Sequence, residues 1–155
     1  MRSEVAIICD AKAEIVGLHD FFTRWFGGLS QDRREFARCE RALHADFTMV
    51  TPDGSLCSRD RTLERIREGH GAAGPSFAIR IEDVEPLWHE SDAILVAYVE
   101  VQSGAGRTTR RRSSALLTRS GSDPAGLVWR HLHETWMQVS VASGCQESRK
   151  RGEHA

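Results

Sequence analysis

Residues 130–136, RHLHETW, set two histidines, a glutamate and a tryptophan into seven positions. In an extended strand, successive side chains alternate. His131, His133 and Thr135 then share one face, while Arg130, Leu132, Glu134 and Trp136 share the other. Two histidines on one face can begin a metal site, but zinc needs three or four protein ligands. No third His, Cys or carboxylate stands near them on that face, so no metal is expected. Glu134 poses the sharper chemistry. A carboxylate flanked by Leu132 and Trp136, if buried, must find a partner or rest protonated with a raised pKa. A carboxyl in that condition can serve as a general acid or base.

Other motif-like stretches carry less. RTTRRR, 107–112, has four arginines in six residues, but on a strand they alternate faces and read as a solvated hairpin end. HGAAG, 70–74, lacks the Lys-Ser/Thr of a phosphate loop. Cys9, Cys39, Cys57 and Cys145 are scattered, with no CxxC pair, which fits free thiols in a reducing cytoplasm. The 21 basic and 22 acidic residues nearly cancel, which argues against nucleic-acid binding through bulk charge. The apolar run at 5–9 is too short for a signal-peptide core or a membrane span. No cofactor-binding fingerprint is present.

The elements that position these residues follow from periodicity. Ile15, Leu18, Phe22 and Trp25 recur at helical spacing over 11–26, and Gly27-Gly28 stops the helix. A second helix begins near Asp32 and carries Phe36, Cys39 and Leu43 on one stripe. DFTMVTPDG then alternates and turns, and Ser58 caps a third helix that buries Leu63 and Ile66. From residue 76 the period becomes two. One strand, with Phe77, Ile79 and Ile81 on a face, ends near Pro86. A second has Ile94, Val96, Tyr98 and Glu100 on one face and Leu95, Ala97 and Val99 on the other. Two more, TTRRRSSALLTR and LVWRHLHETWMQVSV, complete a run of antiparallel hairpins. The chain reads as one domain over 11–141, with a flexible tail over 142–155. The order of elements predicts an α+β fold, a strongly curved mixed or antiparallel sheet wrapped around N-terminal helices.

HADFTMVTPDGSLCSRDRTLERI, 44–66, and GLVWRHLHETW, 126–136, resemble the SnoaL-like family of the nuclear-transport-factor-two-like superfamily, the cone-shaped α+β barrels. The resemblance spans roughly 15–139. It implies that the histidine face of 130–136 is the outer, dimer-forming one, and that Leu132, Glu134 and Trp136 line the cone. Related ketosteroid isomerases carry an aspartate where this chain has Thr51, which cannot act as a base near neutral pH. Their oxyanion tyrosine falls where Phe21 and Phe22 stand. Steroid-type isomerisation is therefore disfavoured.

If the strand face of Tyr98 and Glu100 and that of Arg112 and Ser114 also turn inward, the pocket holds Tyr98, Glu100, Arg112, Ser114 and Glu134, with Thr51, against a wall of Trp25, Met49 and Trp136. Glu134 and Arg112 are the candidate catalytic pair. A buried Arg–Glu network that merely orders the barrel stands beside that reading. Three functions stay open: a small-molecule-binding domain, a cofactor-free lyase, isomerase, cyclase or hydrolase, and a dimerisation module. The expected partners are a small-molecule ligand and a second copy bound through the sheet, with neither nucleic acid nor membrane.

Overall fold

The computed structural model describes residues 4–121 and 126–138. The expected tail at 142–155 and Cys145 lie outside them. The first helix, α1 (Glu4–Phe26), starts earlier than its periodicity predicts. Ile7 extends the buried stripe of Ala11, Ile15, Leu18 and Trp25, so a domain start at 11 falls inside this helix. Gly28, at φ 74°, turns the chain away in the left-handed region that glycine occupies without strain.

Helix α2 (Arg33–Ala42) is capped by the Asp32 carboxylate, which accepts from the Arg34 N–H at 2.8 Å. Leu43, read from sequence as part of that helix stripe, instead opens strand β1 (Leu43–Val50). The Pro52-Asp53-Gly54 turn leads into a short strand, β2 (Leu56–Ser58), for which three residues offer no period to read. Ser58 then caps α3 (Arg59–Glu68), which buries Leu63 and Ile66 as expected. Four long strands follow: β3 (Ala78–His89), β4 (Ala93–Gly104), β5 (Arg107–Arg119) and β6 (Leu127–Trp136).

These strands form one mixed, open sheet in the order β2-β1-β6-β5-β4-β3. The long strands pair antiparallel, whereas β1 and β6 run parallel. The fold is thus the expected α+β cone, with a sheet that does not close. Strand β3 continues past Pro86 to His89, which an edge strand tolerates because one side needs no donor. Asp83, at φ 53°, lies in a register shift that bends this edge.

Helix α1 packs on the inner face of the sheet, against Ile94, Val96 and Tyr98 of β4 and Trp129 of β6. The phase of β5 differs from the sequence reading. Ser113, Ala115 and Leu117 are fully buried on the inner face, so Arg112, Ser114 and Leu116 point outward. The pairing sets this phase: Glu100 lies opposite Arg111, and Ser113 opposite both Tyr98 and Glu134. Opposed residues share a face. Val99 and Val101 remain on the outer side but are buried all the same. Across from them stand Arg80, Glu82 and Arg110, joined by ion pairs of 2.7 and 2.8 Å.

Candidate functional site

Between α1, the β1–β2 turn, α3 and the inner sheet face lies a cavity of about 390 Å³. Phe22 and Phe26 from α1, Phe47 and Met49 from β1, and Leu132 from β6 give it an apolar wall. At one end stand four ionisable groups from four elements: His19, Glu100, Arg111 and Glu134.

His19 is 4% exposed, and both its ring nitrogens are engaged. Nδ1 lies 2.7 Å from the Ile15 carbonyl oxygen, and Nε2 lies 3.2 Å from Glu100 Oε2. Both partners can only accept, so each nitrogen must donate and the ring is an imidazolium. Burial works against that charge, but the hydrogen bond and negative charge of Glu100 outweigh it, and the His19 pKa is raised. With no lone pair free, this histidine cannot act as a base.

Glu100 is equally buried. Burial opposes its charge too, yet His19, Arg111 and a 2.6 Å hydrogen bond from Gln102 hold its pKa down at about 2. Glu134, 4% exposed, behaves in the opposite way. Burial and the charge of Glu100 push it up to about 7, although Arg111 donates to its Oε2 at 3.1 Å. Two close carboxylates share what positive charge there is, and one of them gives up its own. Glu134 therefore titrates much closer to neutral pH than an ordinary carboxyl, and its second oxygen makes no hydrogen bond among the described residues.

Trp136 closes this end. Its ring lies under the Arg111 guanidinium, 4.9 Å from centroid to carbon, and its Nε1 donates to Asp53 at 3.0 Å. That bond ties the end of β6 to the β1–β2 turn. Behind the cavity, Trp129 Nε1 donates to Glu14, which Arg38 also holds through two nitrogens.

Of the residues singled out from sequence, Met49, Thr51, Glu100, Glu134 and Trp136 line the cavity. The Thr51 hydroxyl is engaged in the turn, accepting from the Ser55 N–H at 3.1 Å. Trp25 does not reach the cavity; it stacks on Phe21 and donates to the Ile66 carbonyl at 2.7 Å. Tyr98 is buried outside the cavity lining. Arg112 and Ser114 lie on the opposite face, beside His133 and Thr135 in a shallow recess. The guanidinium beside Glu134 is that of Arg111, because β5 has the other phase. His131 accordingly faces outward, its Nδ1 2.8 Å from the Thr48 hydroxyl. Among the described residues, no group of three or more His, Cys, Asp or Glu is placed to hold a metal.

Sequence reasoning passed over His19, Gln102 and Arg111. His19 had a signal: it lies four residues after Ile15 and three before Phe22, on the buried stripe. Gln102 follows Glu100 by two and so shares its face. Arg111 had none, since arginine stands at 110, 111 and 112.

Comparison with known proteins gives the family and the fold. The family model for the C-terminal region of sucrose-6-phosphate phosphohydrolase matches residues 11–138. Sucrose-phosphatase 2 of Nicotiana tabacum is 26% identical over 133 residues, covering 84% of this chain but 31% of that protein. The chain thus spans about a third of the length of the curated relatives it matches. Among solved structures, an NTF2-like protein of unknown function from Pseudomonas aeruginosa is 30% identical. It aligns over 84% of this chain and 100% of its own, with a TM-score of 0.78. The association domain of the C. elegans kinase CaMKII shares the fold at 18% identity and a TM-score of 0.57, over 81% of this chain and 95% of that one.

Proposed function

Because the chain belongs to the sucrose-6-phosphate phosphohydrolase C-terminal family and has an NTF2-like fold, we propose that it binds a small molecule in the cone. The observation that carries this reading is the cavity of about 390 Å³, apolar along its walls and ionisable at one end. Its size and lining suit a largely apolar ligand oriented by a few polar groups. The ligand's body would lie against Phe22, Met49 and Leu132, with its polar end at Glu134 and Arg111. Burial of His19 with Glu100 fixes the charges around that end before any ligand arrives. The sucrose phosphatases supply no activity to this chain by themselves, given how little of their length it covers.

A titration with the neutral fluorophore 2-naphthol tests the reading. Saturable binding is expected, and Leu132→Trp, which fills the cavity, should weaken it at least tenfold while the protein stays folded. Equal binding by both proteins, or none by either, would refute it.

A second reading has one observation in its favour. A carboxyl that titrates near 7, with an oxygen free of partners among the described residues, is suited to a cofactor-free lyase, isomerase, cyclase or hydrolase. The two readings part at Glu134: a binding pocket tolerates glutamine there, and an acid–base enzyme does not.

Assembly belongs to the proposal as well. Leu95, Ala97 and Leu116 are half-buried on the outer face, and Trp88 is 49% exposed on the edge strand. The CaMKII relative is named an association domain, and a second copy laid on this sheet would cover these residues. Sedimentation at micromolar concentration should give a dimer that Leu116→Arg dissociates. A monomeric wild type would remove the sheet-to-sheet arrangement. The third reading, a module that only dimerises, leaves the cavity without a purpose. No helix among the described residues is long and apolar enough to cross a membrane, and the cytoplasm is the compartment we propose.

A further inference from the structure

We infer that the cone takes a weak acid with an apolar body, its carboxylate held by Arg111 while Glu134 takes up one proton. This rests on the reading of the cavity as a ligand pocket and names the class of ligand.

The groups facing Glu134 are countable. From α1 comes His19, from β4 Glu100 and Tyr98, and from β5 Arg111. Asp53 of the β1–β2 turn and Arg65 of α3 line the same cavity, and β1 contributes the apolar Leu43, Phe47 and Met49 to its wall. His19 and Glu100 cancel each other within a 3.2 Å ion pair. Tyr98 is neutral, its hydroxyl pushed further up by burial. Asp53 is occupied by the Trp136 indole. Arg65 turns its Nη1 to the Cys57 sulfur at 3.6 Å, so what remains beside Glu134 is one guanidinium and one carboxyl.

The guanidinium has capacity to spare. It carries five N–H donors, and among the described residues it gives one to Glu134. Its Nε–H is buried without an acceptor. Trp136 holds its plane from below, which fixes the direction of its edge. An incoming carboxylate would place two anions on one guanidinium, an arrangement that low-dielectric surroundings disfavour. Protonation of Glu134 removes the conflict and supplies an O–H donor, so that guanidinium and carboxyl together clamp the ligand's two oxygens. A neutral alcohol of the same length gains only one such hydrogen bond. The proton balance is one ligand anion bound and one proton taken from solvent when Glu134 begins ionised.

Calorimetry with octanoate and 1-octanol tests this, from about pH 5.5 to about pH 8.5, in two buffers of different ionisation enthalpy. Octanoate should bind with close to one proton taken up at the alkaline end. Its affinity should fall about tenfold per pH unit once Glu134 is ionised. Glu134→Gln should still bind octanoate at pH 8, with no proton uptake. Arg111→Met should lose octanoate at least tenfold yet keep 1-octanol, which also reports that the variant is folded. Binding of 1-octanol without octanoate, or octanoate affinity independent of pH, overturns the inference and leaves the pocket standing. Binding of neither ligand overturns the pocket and the inference together.

Discussion

Glu134→Gln should melt at a higher temperature than the unaltered protein above pH 7, and at nearly the same temperature near pH 5. The expected sign is unusual for a buried hydrogen-bonded residue, and it follows from proton linkage. Glu134 titrates near 7 when folded, against an ordinary value of 4.5. Between those values the folded protein binds more protons than the unfolded chain, so stability falls as pH rises through this window. Above it the full cost is present, at most roughly 3 kcal/mol for a shift of that size. Glutamine is neutral at every pH, and its amide oxygen can still accept from Arg111. It therefore removes the cost where it is largest. Thermal denaturation at several pH values is the measurement, with a gain of several degrees expected at alkaline pH, at about 2–4 °C per kcal/mol. A uniform loss of stability across the range would mean that the ionised carboxylate holds this end of the cone together.

The largest loss is expected from Glu100→Gln, which strips the buried imidazolium of its counter-charge. Leaving one member of such a pair alone costs about 3–5 kcal/mol, on the scale of ten degrees in melting temperature for a domain of this size. The effect has a pH window of its own. The raised pKa of His19 contributes stability that is complete below 6.5 and lost as pH rises through its folded value. The lowered pKa of Glu100 contributes stability present above 4.5 and lost as pH falls toward about 2. Near pH 5.5 both contributions are present, and urea denaturation there should show the full deficit. His19→Leu combined with Glu100→Met should recover most of it, since well-packed apolar side chains replace a buried ion pair at little cost. A Glu100→Gln protein as stable as the original would mean that the pair holds nothing in place.

Much of the frame around this site was legible in the chain. The α1 stripe, the caps at Asp32 and Ser58, and the Pro-Asp-Gly turn each rest on interactions within a few residues. The face of β6 that carries Glu134 followed from a family resemblance and strand alternation. What stayed hidden depends on partners distant in sequence. RTTRRRSSALLTR has polar residues in both phases at its start and adjacent leucines near its end, so alternation alone cannot choose its inner face. Only pairing with β4 and β6 chooses it, and that choice puts Arg111 rather than Arg112 beside Glu134. The His19–Glu100 pair joins residues 81 positions apart, and neither is unusual in its own segment.

The place of β6 in the sheet has a consequence for synthesis. Its ten residues are inserted between β1 and β5, strands that never touch each other directly. A nascent chain that has emerged only as far as β5 therefore holds two half-sheets with raw edges and no floor beneath the cone. The β3–β4–β5 meander can zip from local contacts as it leaves the ribosome, whereas the edge of β1 not paired with β2 must wait for a partner more than eighty positions downstream. During that wait its backbone groups are open to wrong partners, including other nascent copies. Docking of residues 127–136 closes both gaps in one step and delivers Glu134 to Arg111 in the same motion.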